Sequence, residues 1–462
     1  MDERVIARFF QEHREKFLED IMTLVRIPSV NTPGGGRYPF GEGCARVLDA
    51  ALAMGERMGF EAENHEYRCG SILMPGTEKG EVGMFAHLDV VPPGDGWKNP
   101  PCSPYIEDGW LYGRGSCDNK GPAVTALYAM LFLREMGFKP RRTIRLFLGC
   151  SEEKGMGDIV WYLKHYPAPD FSFTPDGAFS VCYSEKGIME AEFEAPLPGE
   201  IVRFSAGAAS NSVAASAFAL LRTEAKRETE ACEIWPGISV KREGDFLRVE
   251  AAGKSAHAAF PEGSENAAVM LADYICRRNL VSEEAGKILF FIGDSLKDYY
   301  GSGLGIAHED EELGKLTVIA GMTETGEGRL RQNINIRYPA CADAGQMEAA
   351  LKQAANSCGW RMSWVKNDPP SYVSPDSPFV RTLCRACTNR LGPSFVPYTM
   401  GGGTYARKIP GAVAFGPGIR GQKKPGPDGH GGGHQPDECV QLKVLEDALH
   451  IYIQALEEVD RL

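Results

Sequence analysis

Apolar residues recur at three- and four-residue spacing through 5–27 (VIARFFQEHREKFLEDIMTLVRI), 44–60 (CARVLDAALAMGERMGF) and 122–138 (PAVTALYAMLFLREMGF), which predicts three helices with a buried face. Between and after them lie short β-rich runs: EVGMFAH at 81–87, RTIRLFLGCS at 142–151 and FSFTPD at 171–176. Helices alternating with nearly continuous apolar strands predict an α/β layer around a mixed, mostly parallel sheet. In such sheets ligands gather at the strand ends, which is where these runs turn polar.

The pattern changes after about residue 186. DFLRVEAAG (245–253), KLTVIAGMT (315–323) and RQNINIRYP (331–339) alternate apolar and polar positions, and the helical stretches 266–278 and 344–357 interrupt them. An α+β insert over 187–375 follows, large enough for two small sheet-and-helix units. Beyond it the helical run 377–391, the strand AVAFG and a last helix over 438–459 resume the α/β pattern. A first domain of 1–186 is therefore completed by 376–462. Two domains also suit the length of 462 residues, since single cores stop growing near ~250–300 residues.

Composition narrows the function classes. Acidic residues number 62 against 50 basic ones, a formal charge of -12, which opposes binding to phosphate backbones and anionic membranes. Neither nucleic acid nor membrane is an expected partner. The start, MDERVIARFFQEHREKFLED, carries no apolar run of signal-peptide or membrane-spanning length, so the expected location is cytoplasmic. The 13 cysteines fall mostly inside apolar segments and read as reduced core thiols, including the C-x-x-C of Cys384 and Cys387.

Polar groups follow the strand ends repeatedly: His87 and Asp89, Asp118 in GRGSCDNKGP, Glu152 and Glu153 in GCSEEKGMGD, Asp176 in TPDGAF and His434 in HGGGHQPDE. Each alone reads as a turn former, a helix-start acid or a core histidine. Their convergence on one sheet points to a metal centre. Imidazole and carboxylate donors without cysteine suit zinc, cobalt or manganese, and two such ions need a bridging carboxylate. Asp118 is the natural bridge, held just ahead of a helix start at NKGP. Asp89 lies too close in sequence to His87 to share its ion, but it can accept the other ring N–H and fix the tautomer. Adjacent side chains of an extended segment point to opposite sides, so one of Glu152 and Glu153 can bind metal while the other shuttles a proton.

The ordered motifs H-x-D, G-x-x-D-x-K-G, E-E and the later Asp and His resemble the cocatalytic zinc peptidase family of aminoacylases, succinyl-diaminopimelate desuccinylase (the ArgE/DapE type), glutamate carboxypeptidases and carnosinases. GGGTYAR at 401–407 and KSAHAAFPE at 254–262 most resemble its PepV-type dipeptidase branch. The resemblance implies a zinc aminopeptidase-like catalytic domain with an inserted lid of two ferredoxin-like halves, and two zinc ions that manganese or cobalt can replace. By motif position it implies one zinc on His87, Asp118 and Asp176 and another on Asp118, Glu153 and His434. Glu152 would be the general base and then acid, with Asp89 orienting His87. Of the two histidines in the glycine-rich loop, His434 is chosen over His430 for its spacing to Asp437 and Glu438. In the lid, His257 would stabilise the oxyanion, Arg337 would clasp the substrate carboxylate and Asn211 would assist; outside it, Gly402 and Thr404 would be further substrate-binding positions.

The activity implied is hydrolysis of unblocked dipeptides. A large lid that reaches over its own site implies a monomer, where smaller relatives use a dimer partner. Two alternatives share the ligands. An N-acyl amino acid deacylase needs a pocket for a neutral acyl group, and a non-catalytic metal-dependent peptide-binding protein would have no use for Glu152. A dinuclear phosphoesterase lacks the expected cationic residues near these motifs.

Overall fold

The computed structural model describes residues 2–222 and 235–462. The chain forms two compact units: Met1–Ser184 with Tyr372–Tyr398 and Gly403–Leu462, and Glu185–Ser371 with Thr399–Gly402.

The main sheet of the first unit runs in spatial order Glu61–His65, Cys69–Met74, Thr143–Gly149, Glu81–His87, Phe171–Thr174, Val413–Phe415 and Val181–Glu185. Its central pairings are parallel: Glu81–His87 lies between Thr143–Gly149 and Phe171–Thr174, which in turn pairs with Val413–Phe415. The flanks are antiparallel. A central parallel strand is covered on both faces, so it needs an apolar run rather than alternation, and Val82 to His87 are all buried. Helix Lys120–Glu135 has no wet face: Lys120 to Leu133 are all buried, packed against the first helix, Glu3–Val25, and the last, Leu442–Val459. Phe132 and Phe147 are fully enclosed, and truncating either to alanine would cost about 3–5 kcal/mol. A three-stranded side sheet joins Tyr105–Glu107, Trp110–Tyr112 and Cys439–Gln441, with Cys439 opposite Tyr112.

The second unit carries one antiparallel sheet in the order Ile238–Glu243, Phe246–Ala252, Ser216–Arg222, Ile201–Ala206, Thr317–Gly326, Arg329–Tyr338, Gly187–Pro196 and Arg361–Asp368. Along Gly187–Pro196 the alternation puts Met189, Ala191, Phe193 and Ala195 in the core. The sheet is two four-strand halves, joined where Ser205 pairs with Glu324 and Ala206 with Thr323. Edge-to-edge pairing thus joins two small sheet-and-helix halves within one insert. Residues of both halves, among them Phe193, Ile334, Leu247 and Val249, share one core. None of the described helices is long and apolar enough to cross a membrane, and no disulfide joins the described cysteines.

Candidate active site

His87 closes the central strand and is 1% exposed. Its Nδ1 lies 3.0 Å from the carbonyl oxygen of Asp89, and the carboxylate of Asp89 is farther, at 3.6 Å. The Asp89 carbonyl oxygen is thus the nearer neighbour of Nδ1, with the Asp89 carboxylate, expected from the sequence to orient the ring, just beyond it. The other ring nitrogen, Nε2, faces Asp118 Oδ1 at 3.0 Å and Asp176 Oδ2 at 3.7 Å. On the other side of the same carboxylate, His434 Nε2 lies 3.3 Å from Asp118 Oδ2 and 2.9 Å from Glu153 Oε1. Asp118 thus presents each oxygen to a different imidazole.

The donor atoms of His87, Glu152 and Asp176, and those of His87, Asp118 and Glu153, each lie within 4.8 Å of one another. These two groupings place His87 in both sets, whereas the pair distances make Asp118 the shared member. The pair distances are the stronger guide, because only Asp118 touches both imidazoles. Lone pairs of an imidazole and of carboxylates converge here without thiolate, a donor chemistry that fits two divalent cations of the zinc, cobalt or manganese kind.

The charges explain the titration shifts. Burial pushes Asp118 upward, but hydrogen bonds from His434 and His87 outweigh it and hold the carboxyl well below its ordinary range. Hydrogen bonds to Asp118 and then Glu153 raise His434 to about 11. Burial above all, reinforced by Asp176, Glu153 and Asp89 against the opposing pull of His87, raises Glu152 well above an ordinary carboxyl. A raised carboxyl is a stronger base when ionised, which suits it to accept and pass on a proton.

Glu152 and Glu153 sit on a turn after strand Thr143–Gly149, not on the extended segment expected. Two buried carboxylates capture the four N–H groups of that turn. Cys150 and Ser151 donate to Asp158 Oδ2 at 2.6 and 2.7 Å, and Glu152 and Glu153 donate to Asp89 Oδ1 and Oδ2, each at 3.1 Å. Tyr405 of the GGGTYAR segment donates its hydroxyl to the same Asp158 oxygen at 2.5 Å. Gly149 makes room for that hydroxyl, since a Cβ there would overlap it. Burial raises Asp158 to about 6. Lys120 is likewise enclosed and donates to the carbonyls of Leu24 and Ile27, anchoring the end of the first helix beside the Asp118 loop. Asp158, Tyr405 and Lys120 lie in segments that the sequence singles out, but no individual role is assigned to them there. The signal available was membership of those segments: Asp158 ends GCSEEKGMGD, Tyr405 lies in GGGTYAR and Lys120 in GRGSCDNKGP.

His434 is placed by a loop that the side sheet ties to the Asp118 loop, not by the main sheet. Both His434 and Asp437 have left-handed backbone, φ 64° and 53°, a conformation costing non-glycine residues about 1 kcal/mol or more. His430 points elsewhere in this loop, with Nδ1 2.9 Å from Asp437.

In the second unit His257 and Asn211 lie on facing segments: Ala258 donates its N–H to the Asn211 carbonyl at 2.9 Å, and Ser212 bridges His257. Both are exposed. His257 Nδ1 accepts from the Ala259 N–H at 3.2 Å. Arg337 is buried, donating Nε–H to Asn335 at 2.9 Å and a terminal N–H to the Gly401 carbonyl at 3.3 Å. Gly402 belongs to this unit and Thr404 to the first, where the Thr404 hydroxyl caps the short turn Tyr405–Arg407.

Known proteins resemble this chain in sequence and in fold. The model of a family described as Peptidase family M20/M25/M40 matches residues 83–458. YtjP of Bacillus subtilis (strain 168) is 32% identical over 466 residues, covering 96% of this chain and 97% of that one. The Beta-Ala-Xaa dipeptidase of Lactobacillus delbrueckii subsp. lactis is 31% identical over 468 residues, 97% of each. Among solved structures, human carnosine dipeptidase 1 shares the fold with a TM-score of 0.60 at 15% identity, over 100% of this chain and 99% of that one. With its sequence matched across most of its length and its fold shared throughout, this chain belongs to peptidase family M20/M25/M40 and is a metallopeptidase.

Proposed function

We propose that this protein is a dipeptidase that hydrolyses unblocked dipeptides at a centre of two divalent cations, zinc or in its place manganese or cobalt. His87, Asp118 and Asp176 would hold one cation, and Asp118, Glu153 and His434 the other. The observation that carries this reading is the two-sided environment of Asp118, whose oxygens lie 3.0 Å from His87 and 3.3 Å from His434. Cations bound there supply Lewis-acid activation of a water molecule and of the scissile carbonyl. Glu152 accepts the proton released by the attacking water and delivers it to the leaving amine nitrogen. Its position on the turn is set by Asp89, which holds the Glu152 and Glu153 N–H groups.

In the second unit, His257 with Asn211 would donate to the developing oxyanion, and Arg337 would fork onto the substrate carboxylate. Gly402 and Thr404 would contact the substrate backbone. The likeness to a Beta-Ala-Xaa dipeptidase across 97% of both chains supports a small peptide as substrate. We read the chain as acting alone; constant specific activity on dilution is expected, and a fall that tracks dissociation of a dimer would contradict it.

The test is release of free amino acid from dipeptides, tripeptides and N-acetyl or N-succinyl amino acids by metal-stripped protein, with and without zinc, manganese or cobalt. Metal-dependent cleavage restricted to unblocked dipeptides is the expected result. Cleavage of acylated amino acids alone would make the protein a deacylase working with the same ligands.

A further inference from the structure

Glu438 is 0% exposed and belongs to neither set of cation ligands. Its carboxylate gathers donors from one loop. Oε1 accepts the N–H groups of Cys117 at 2.9 Å and Asp118 at 3.0 Å, the Gly115 N–H lies 3.1 Å from both oxygens, and Arg114 donates to Oε2 at 2.7 Å. The Glu438 carbonyl accepts the Gly113 N–H at 2.9 Å. Gly115 reaches this arrangement with φ 91°, a conformation that favours glycine. Arg114 is itself only 2% exposed and is fixed by Pro93, whose carbonyl it meets at 3.2 Å, and by the Trp97 ring, 5.0 Å below its guanidinium. An ionised carboxylate taken out of water persists only with such a full set of donors.

The loop that carries Glu438 also carries His434, four residues earlier. It therefore holds Asp118 twice, at the main chain through Glu438 and at the side chain through His434. We propose that Glu438 is the positioning residue of the bridging carboxylate, fixing the 115–118 backbone so that the two oxygens of Asp118 diverge toward different imidazoles. A loop that only packed against its neighbour would have no need to take the N–H of Asp118 itself. This inference rests on the two-cation reading above. Second-layer hydrogen bonds of this kind typically govern about 10- to 100-fold in metal affinity or activity.

The test uses full-length wild type, Glu438→Gln and Glu438→Asp, each metal-stripped and titrated with zinc by calorimetry, alongside melting temperature and kcat and KM for a dipeptide that the wild type hydrolyses. Glu438→Gln keeps the shape but turns an amide toward the backbone donors; Glu438→Asp keeps the charge but withdraws it. The expected result is wild type binding two zinc ions and Glu438→Gln binding them at least about tenfold more weakly, with kcat lowered about 10- to 100-fold and KM nearly unchanged. Glu438→Asp should fall between. Zinc affinity and kcat within about twofold of wild type in either folded variant, with only the melting temperature lowered, would overturn the proposal. Failure of both variants to fold would also overturn it, by making Glu438 a determinant of folding. A wild type that binds fewer than two zinc ions would instead refute the two-cation reading, and the ratio of variant to wild-type affinity would still judge Glu438.

Discussion

The two units hold their polar residues in different ways. In the first, the side chains assigned to the chemistry are gathered among buried carboxylates, and three carboxylates outside the cation sets, Asp89, Asp158 and Glu438, each accept two or more main-chain N–H groups. In the second, an apolar core fills both halves of one sheet, while His257 and Asn211 lie exposed and Arg337 is buried against Asn335 and Gly401. Buried charges are costly unless fully partnered, so the first arrangement is rigid and electrostatically preorganised. Metal binding and proton transfer are accordingly assigned to the first unit, and the oxyanion donors and the contact to the substrate carboxylate to the second, and substitutions in each should leave different kinetic signatures.

The largest effect is expected at Asp118. Asp118→Ala removes the one group that touches both imidazoles, and elemental analysis should find both cations lost and hydrolysis at background; two retained equivalents would break the contrast at its root. Glu152→Ala should keep both cations yet lose about 10²- to 10⁴-fold in kcat. Near wild-type turnover there would remove Glu152 from the proton path. In the second unit, Arg337→Met should act chiefly on KM, by about 10- to 100-fold, since a charge-assisted hydrogen bond contributes roughly 1.5–3 kcal/mol; an equal fall in kcat at saturating substrate would erase the division between units.

The smallest effect lies in the first unit but away from the site. His450 is 4% exposed with neither ring nitrogen hydrogen-bonded, and burial, then Arg390, lowers it from 6.5 to about 4. The unfolded chain takes up this proton more readily than the folded one, so the stability associated with neutral His450 is present above pH 6.5 and is lost as the pH falls toward 4. Melting temperature should therefore fall less steeply over that window in His450→Leu than in wild type, with kcat unaffected at neutral pH. Identical slopes would show that His450 does not contribute to the acid sensitivity.

Periodicity made the frame legible. The run EVGMFAH coincides with strand Glu81–His87, and the continuous apolar character of the central strands announced the parallel centre of the sheet. Its antiparallel flanks were less visible, because a partner's direction leaves no mark on a single strand. The order of motifs singled out the residues that gather around Asp118. What stayed hidden was the choice of hydrogen-bond partner. Glu152 and Glu153 leave the extended path because Asp158 and Asp89 take the N–H groups that a neighbouring strand would otherwise use. Asp118 and His434 meet through the pairing of Trp110–Tyr112 with Cys439–Gln441, segments more than 300 residues apart. No local pattern encodes that pairing. Thr399–Gly402 joins the second unit through contacts that include Lys186 N–H to the Met400 carbonyl at 2.9 Å, Thr399 to the Glu312 carbonyl at 2.6 Å and Arg337 to the Gly401 carbonyl at 3.3 Å, which composition does not signal either.

The most direct measurement is dipeptide hydrolysis followed while zinc is titrated into metal-stripped wild-type protein, with bound metal counted at each step. If Asp118 bridges two cations, full activity should be reached only as the second equivalent binds. Full activity with one equivalent, or with none, would contradict a two-cation centre on these residues.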